Sequence, residues 1–218
     1  MSPSAVSTAR RERAQRTAAA RRRRAAVRRR NRLIGGVLLG AVVLGVVLLQ
    51  PLVQKTVNEF SLPLTNAGVI RQQAAEKSLD PALIAGVIYA ETKFDPRSSA
   101  AGARGLMQVM PQTAEFLARR SGATSFTVAD LATPAVNIAY GSYYLRYLLN
   151  EYQGNVTDAL AAYNGGESNV DRWIAAARAQ GHDLTVDEIP FPETRAYVTR
   201  VLSAERRYRS KYAAQLYG

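Results

Sequence analysis

Seventeen consecutive residues without a polar side chain, Leu33 to Leu49 (LIGGVLLGAVVLGVVLL), constrain this chain more than any other feature. As a helix the run reaches about 26 Å at about 1.5 Å per residue, and Gln50-Pro51-Leu52-Val53 extends it into an interface. That is long enough to cross a membrane. Burial as a core helix would lead the twelve arginines of residues 1–32 into a protein interior, so residues 33–53 are expected to span a bilayer. A cleavable signal peptide is the rival reading. The basic segment is too long for an n-region, however, the apolar run is too long for an h-region, and QPLVQKTVNEF offers no small-residue cleavage site. An uncleaved signal anchor is preferred.

Charge asymmetry sets its direction. Residues 1–32 hold twelve Arg against one Glu, whereas residues 33–218 hold seventeen basic and sixteen acidic side chains. With Arg28, Arg29, Arg30 and Arg32 before the run and only Lys55 soon after it, the positive-inside rule places residues 1–32 in the cytoplasm and everything from about residue 55 outside it. The arm is expected to lack a fixed fold and to contact anionic lipid or a cytoplasmic protein. Nucleic acid is not its expected partner, because the Ala/Arg repeats carry no interleaved aromatics on which bases could stack. Gly36 and Gly40 form a lone G-x-x-x-G, a weak hint of helix pairing.

The 218-residue chain contains no cysteine, and its one histidine, His182, stands alone in a loop. Disulfides, thiolate chemistry and a metal centre are therefore not expected, nor is any cofactor. After a short stalk over residues 54–65, residues 66–218 read as one mostly α domain. Helical spacing of apolar residues recurs from 66 to 79, from Pro81 onward, from Pro111 to Ser121, from Pro134 toward Gly154, over 156–163, over 169–179, and from Pro192. No period-two run is sustained, so any strand must be short.

Within the second helix, capped by Asp80 with Pro81 at its first position, Ile84, Val87 and Ile88 form an apolar stripe. Glu91 continues that stripe at i+7, i+4 and i+3, which directs a carboxyl toward the interior. Two readings compete. A shielded carboxyl acquires a raised pKa and suits general acid catalysis, or it forms a buried ion pair with Arg104 or Arg195. In the following Ala101-Gly102-Ala103-Arg104-Gly105-Leu106-Met107-Gln108 stretch the glycines permit close approach of backbone to ligand, and Gln108 offers a neutral donor and acceptor. That suits a polyhydroxylated substrate. Tyr163 and Asn164 sit at a helix end before Gly165-Gly166, expected to face outward. Glu193 could simply complement a helix N-terminus, and Tyr197 could pack or bind.

Together, Glu91-Thr92, GLMQVMP (105–111), AAYNGG (161–166) and EIPFPETRAYV (188–198) resemble the four ordered motifs of the soluble lytic transglycosylase catalytic domain. The resemblance covers roughly residues 66–212 and excludes the arm and the apolar run. It implies a lysozyme-like fold and cleavage of the β-1,4 bond between N-acetylmuramic acid and N-acetylglucosamine in peptidoglycan. By resemblance, Glu91 matches the single catalytic acid/base. Met107, Gln108, Tyr163 and Asn164 match residues lining the sugar sites, and Glu193 and Tyr197 match residues closing the cleft near the carboxyl. Thr92 replaces the family's usual Ser and keeps the hydroxyl. The interval from Glu91 to Gly105 is one residue short, so the family's substrate-contacting Ser falls on Ser99 when counted from the glycines and on Ala100 when counted from Glu91; Ser99 is preferred.

Glycosidases ordinarily use two carboxyl groups. Asp95, Glu115, Glu167 and Glu193 are candidates for a second, but spacing selects none of them. The resemblance implies a route that uses one. A goose-type-lysozyme-like hydrolase with the same Glu91, a non-catalytic wall-binding scaffold tethered at the membrane, and a nucleic-acid-binding arm with an incidental outer domain remain the rival readings.

Overall fold

A computed structural model describes residues 62–218, together with Leu44, Gly45 and Val47, which are helical. The basic arm, nearly all of the expected membrane segment and stalk residues 54–61 lie outside the described residues. Among the described residues no helix is long and apolar enough to cross a membrane.

Residues 62–218 form one compact unit. Eight helices are described in it: α1 (Ala67–Lys77), α2 (Pro81–Thr92), α3 (Pro111–Ser121), α4 (Pro134–Glu151), α5 (Val156–Gly165), α6 (Glu167–Ala179), α7 (Pro192–Lys211) and α8 (Ala213–Tyr217). Two short 3-10 segments, Val128–Ala132 and Val186–Glu188, precede α4 and α7. The only described strands are β1 (Arg97–Ser98) and β2 (Arg104–Gly105), paired antiparallel with Arg97 opposite Gly105 and Ser98 opposite Arg104. They are as short as the lack of alternation requires.

The organising element is α2. Asp80 caps it as expected: its Oδ1 accepts from the Ala82 amide at 2.7 Å, and Pro81 occupies the first turn, where a missing N–H costs nothing. Every residue from Pro81 to Tyr89 is buried, so the stripe foreseen on one face is in fact burial all round. A helix enclosed on all sides belongs at the centre of a bundle. The same Asp80 also ties down the C-terminal helices, since its carboxylate pairs with Arg209 of α7 and accepts from the Tyr217 hydroxyl of α8 at 2.6 Å.

The long helix α7 lies directly along α2. A Cβ at Gly86 would stand 3.0 Å from the Val201 carbonyl oxygen and 3.2 Å from the Glu205 amide nitrogen. Both obstacles are backbone, so an alanine there would force the helices apart by a few tenths of an ångström. Glycine at 86 thus sets how deeply α7 seats against α2, and through it how Tyr197 meets Glu91. The chain enters the unit anchored: Leu62 is buried, its carbonyl accepts from the Tyr212 hydroxyl at 2.6 Å, and the Tyr208 hydroxyl donates to the Pro63 carbonyl.

Two helix limits differ from the sequence reading. The helix α5 runs through Tyr163 and Asn164 to Gly165, and the left-handed turn falls at Gly166 (φ 82°). The helix α6 starts two residues earlier than the periodicity suggests, at Glu167, because Gly166 ends one helix and caps the next.

Candidate active site

Glu91 lies in the last turn of α2, where its side chain is neither sealed nor free. Removal from water is the main reason its carboxyl pKa rises from 4.5 to about 7. Four lesser influences act on it: the Tyr197 hydroxyl and the charges of Arg200 and Arg97 lower it, and the charge of Glu193 raises it. Burial prevails. The Tyr197 hydroxyl is otherwise without a hydrogen-bond partner in the interior, and its contact with the carboxyl falls short of good hydrogen-bond geometry. We therefore regard it as weak.

The ion-pair alternative fails. Among the described residues no cation stands within salt-bridge distance of the Glu91 carboxylate. Arg195 instead donates from Nε and Nη2 to the Ile189 carbonyl at 3.1 and 2.8 Å, and Arg104 is absent from the charges that act on Glu91. Arg97 donates to the Glu91 backbone carbonyl at 3.1 Å, leaving the carboxyl itself uncapped.

The loop after β2 is fixed to the end of α2 and to α4. Thr92 Oγ1 donates to the Leu106 carbonyl at 2.8 Å, so the hydroxyl retained at this position is a strut between helix and loop. Gly105 (φ 73°) has no room for a side chain, because a Cβ would meet Asn137 Nδ2 at 2.2 Å and the Leu131 carbonyl at 2.7 Å. Asn137 is fully buried in the first turn of α4. It accepts from the Met107 amide at 2.8 Å and donates to the Arg104 and Leu131 carbonyls at 2.8 and 3.1 Å. Losing it would strand three buried backbone groups, each worth about 1–3 kcal/mol. Sequence reasoning missed this residue. Nothing in its own neighbourhood in the sequence marks it, because its partners are supplied by the fold.

Met107 and Tyr197 are both buried, Met107 away from the cleft it was expected to line and Tyr197 beside the carboxyl. Met107 is 0 % exposed and its sulfur fills the space over Gly141, where a Cβ would come within 2.5 Å of it. Its side chain is a core anchor that cannot reach a glycan, while its carbonyl accepts from the Tyr163 hydroxyl at 2.9 Å. Tyr197, 1 % exposed, lies behind the carboxyl as part of its shielding. It packs parallel to Tyr163, with ring centroids 6.5 Å apart, and Tyr163 in turn meets Tyr144 at 5.2 Å.

Gln108, Tyr163 and Asn164 do come together, around a cavity of about 340 Å³ shared with Thr113 and Tyr144. Gln108 adopts a left-handed φ of 48°, and its amide donates to the Arg97 and Gly105 carbonyls, each at 2.8 Å. Two carbonyl acceptors fix the NH₂ there, so what remains for a ligand is an acceptor oxygen alone. Asn164 is exposed and accepts from Thr194 Oγ1 at 2.8 Å, which leaves its own NH₂ free to donate. Ser99 Oγ accepts from the Ala103 amide at 3.0 Å within the β-turn and keeps its hydroxyl hydrogen to offer; Ala100 is exposed and has no such group. Glu193 is exposed in the first turn of α7. Of the four candidates for a second carboxylate, only Glu193 acts electrostatically on Glu91. Among the described residues no group of three or more His, Cys, Asp or Glu is placed to hold a metal.

The raised pKa carries a stability cost with a definite sign. Below 4.5 the carboxyl is neutral in both folded and unfolded chains; above about 7 the folded state must hold a shielded charge, so this stability is lost as pH rises between them. Glu91→Gln is expected to stabilise the fold by about 3 kcal/mol near pH 8 and by almost nothing near pH 4. Urea unfolding at the two pH values checks this, and an equal effect at both would contradict it.

Residues 68–186 match the Transglycosylase SLT domain family. The soluble lytic murein transglycosylase of Escherichia coli (strain K12) is 30% identical over 154 residues, which are 69% of this chain and 24% of that protein. A putative soluble lytic murein transglycosylase of Haemophilus influenzae is 34% identical over 161 residues, 72% of this chain and 27% of that protein. Among solved structures, an inactive mutant of the lytic transglycosylase Slt from Pseudomonas aeruginosa superimposes with a TM-score of 0.63 at 32% identity, covering 70% of this chain and 25% of that one. The 70-kDa soluble lytic transglycosylase of Escherichia coli gives 0.63 at 29% identity, covering 68% and 25%. The chain thus spans about a quarter of the length of these relatives, and the common part is the mostly α, lysozyme-like unit that carries Glu91. By this match the chain belongs to the transglycosylase SLT domain family.

Proposed function

We propose that this protein is a peptidoglycan lytic transglycosylase, cutting the bond between N-acetylmuramic acid C1 and the O4 of N-acetylglucosamine. The observation that carries the reading is a lone carboxyl, shielded but uncapped, whose pKa of about 7 leaves about half of it protonated at neutral pH. Protonated Glu91 donates to the leaving O4 as the C1–O4 bond breaks. The carboxylate so formed takes the proton of the muramic acid C6 hydroxyl as O6 bonds to C1, which returns Glu91 to its starting state and closes a 1,6-anhydro ring. No water is consumed. One group suffices because donation and abstraction happen in sequence, and the substrate's own N-acetyl group can steady the oxocarbenium-like centre meanwhile.

Gln108 Oε1, the Asn164 amide and the Ser99 hydroxyl supply one acceptor and two donors for sugar hydroxyls and N-acetyl groups. Glu193, exposed in the first turn of α7, adds a small upward influence to a pKa raised mainly by burial. We further propose that residues 33–53 hold the protein in the cell membrane with the arm in the cytoplasm and residues 62–218 on the wall side, which would bring the unit to its substrate. The charge asymmetry supports that orientation.

Digestion of purified sacculi with the full-length protein should yield muropeptides lighter by one water than reducing-end products. Glu91→Gln should lower the yield by about 10²–10⁴-fold, and kcat/KM should fall about tenfold per pH unit above about pH 7. Reducing-end products would indicate a hydrolase of the goose-lysozyme type, and a yield unaffected by Glu91→Gln would leave a non-catalytic scaffold. For the orientation, a membrane-impermeant thiol reagent should label Ser168→Cys, at an exposed position of a chain without native cysteine, on intact cells. Labelling only after lysis would reverse the topology.

A further inference from the structure

A polar cavity of about 560 Å³ opens where the end of α4, the start of α5, α6 and the loop after α6 meet. Four of its lining side chains are carboxylates, Glu151, Asp158, Asp171 and Asp183, and one is a guanidinium, Arg178. None of these five takes part in an ion pair among the described residues. Glu151, Asp171 and Asp183 are exposed, as surface carboxylates ordinarily are. Asp158 is different: it is only 6 % exposed, and no group of the described residues donates to its Oδ1.

The local sequence explains why this carboxyl is left over. Asn155-Val156-Thr157-Asp158 places an acid at the third position of α5, where it would ordinarily reach back to the amide of the cap residue. Here the Asn155 amide donates instead to the Tyr152 carbonyl at 2.9 Å, while Asn155 Oδ1 accepts from the Asp158 amide at 3.2 Å. The helix is thus capped without the Asp158 side chain. Burial is the main reason that the Asp158 carboxyl pKa rises from 3.8 to about 6; the charge of Asp183 adds to the rise and that of Arg178 opposes it. At neutral pH about nine in ten of these carboxyls are ionised, a charge that the surroundings leave uncompensated.

The other walls are apolar or aromatic: Ile174 and Ala175 of α6, the buried Leu184, and Tyr152, whose hydroxyl donates to Asp171 Oδ1 at 3.1 Å. A shielded carboxylate, apolar walls and exposed carboxylates around them fit an aliphatic stem that leads with an ammonium group. A metal ion fits poorly, since among the described residues no three acids are placed to hold one. We propose that this cavity binds a primary alkylammonium group, carried on its aliphatic stem by a polyamine or by a lysine side chain, with Asp158 as its principal acceptor.

This site is separate from the glycan cleft. It shares no lining residue with the cavity around Gln108, Tyr163 and Asn164. The two stand at opposite ends of α5, with about 14 Å of helix between them at about 1.5 Å per residue. A ligand here ties α4, α5, α6 and the loop after α6 together without occupying the cleft, so it stabilises the fold by linkage whether or not Glu91 cuts glycan.

The test titrates spermidine, and in parallel the peptide acetyl-Gly-Lys-Gly-amide, into the full-length protein in neutral detergent and into its Asp158→Asn variant, with calorimetry and thermal unfolding as readouts. Asp158→Asn keeps the size of the side chain and removes an uncompensated charge, so without ligand the variant should melt higher, by about 2–4 °C. The wild type should bind at least one of the two amines and melt higher with it, and Asp158→Asn should weaken that binding by roughly tenfold or more. Asp183→Asn, at an exposed position, gives a second reading that involves no interior change: binding weaker by roughly threefold with the melting temperature of the free protein unchanged. The arginine-rich arm is the same in all three proteins. Tighter binding of spermidine assigns the site to a free polyamine and tighter binding of the peptide to a lysine side chain; either supports the proposal. Equal affinities in wild type and both variants would put the amines on the general surface and overturn it. A variant Asp158→Asn that melts lower, with a wild type that binds neither amine, would make Arg178 the internal partner of Asp158 and overturn it too. So would binding of Ca²⁺ that depends on Asp158 when neither amine binds.

Discussion

A carboxyl withdrawn from water without a cation to compensate it is the constraint on which the rest of this structure depends. Burial alone pushes a carboxylate upward in pKa, and any fixed guanidinium nearby would cancel the effect. The fold keeps both conditions. It buries the end of α2 under Tyr197, and it engages Arg97 and Arg195 with backbone carbonyls, those of Glu91 and Ile189, rather than with the carboxyl. Arg200 tempers the shift from a distance that does not neutralise it.

Holding that arrangement requires α7 to sit close to α2 and the loop after β2 to sit close to both. Gly86 allows the first, and Gly105, Gly141 and Asn137 allow the second. In each case a missing side chain lets another group approach: backbone at Gly86, the Asn137 amide at Gly105, the Met107 sulfur at Gly141. Cores packed this tightly transmit small displacements, so residues remote from the cleft govern how the carboxyl is shielded.

Much of this was legible in the sequence, and the boundary is physical. The cap and proline of α2 are local signals, and so is the i+3/i+4/i+7 position that turned Glu91 inward. The four motifs pointed to the family and to Gln108, Tyr163 and Asn164, which do gather around one cavity. What could not be read is long-range. Asn137 bonds to residues thirty-three and thirty positions away, Arg104 and Met107, and nothing in its own neighbourhood marks it. Met107 and Tyr197 were placed in the cleft because motif membership says that a residue belongs near a site without saying which way its side chain points. Both point inward, where they shape the site from behind. The grouping of cations along α7 was equally invisible, since a count of Lys and Arg over the domain gives near neutrality and only the fold shows which of them line the same grooves.

The decisive measurement is the ionisation of position 91 itself, followed through the carboxyl carbon of selectively ¹³C-labelled glutamate as pH is raised, with Glu91→Gln used to assign the signal. A single titration centred near pH 7 would show that the folded chain holds a proton donor at neutrality. A midpoint at the ordinary glutamate value of about 4.3 would mean the group is charged whenever substrate arrives, and one-carboxyl chemistry at this site would have to be abandoned.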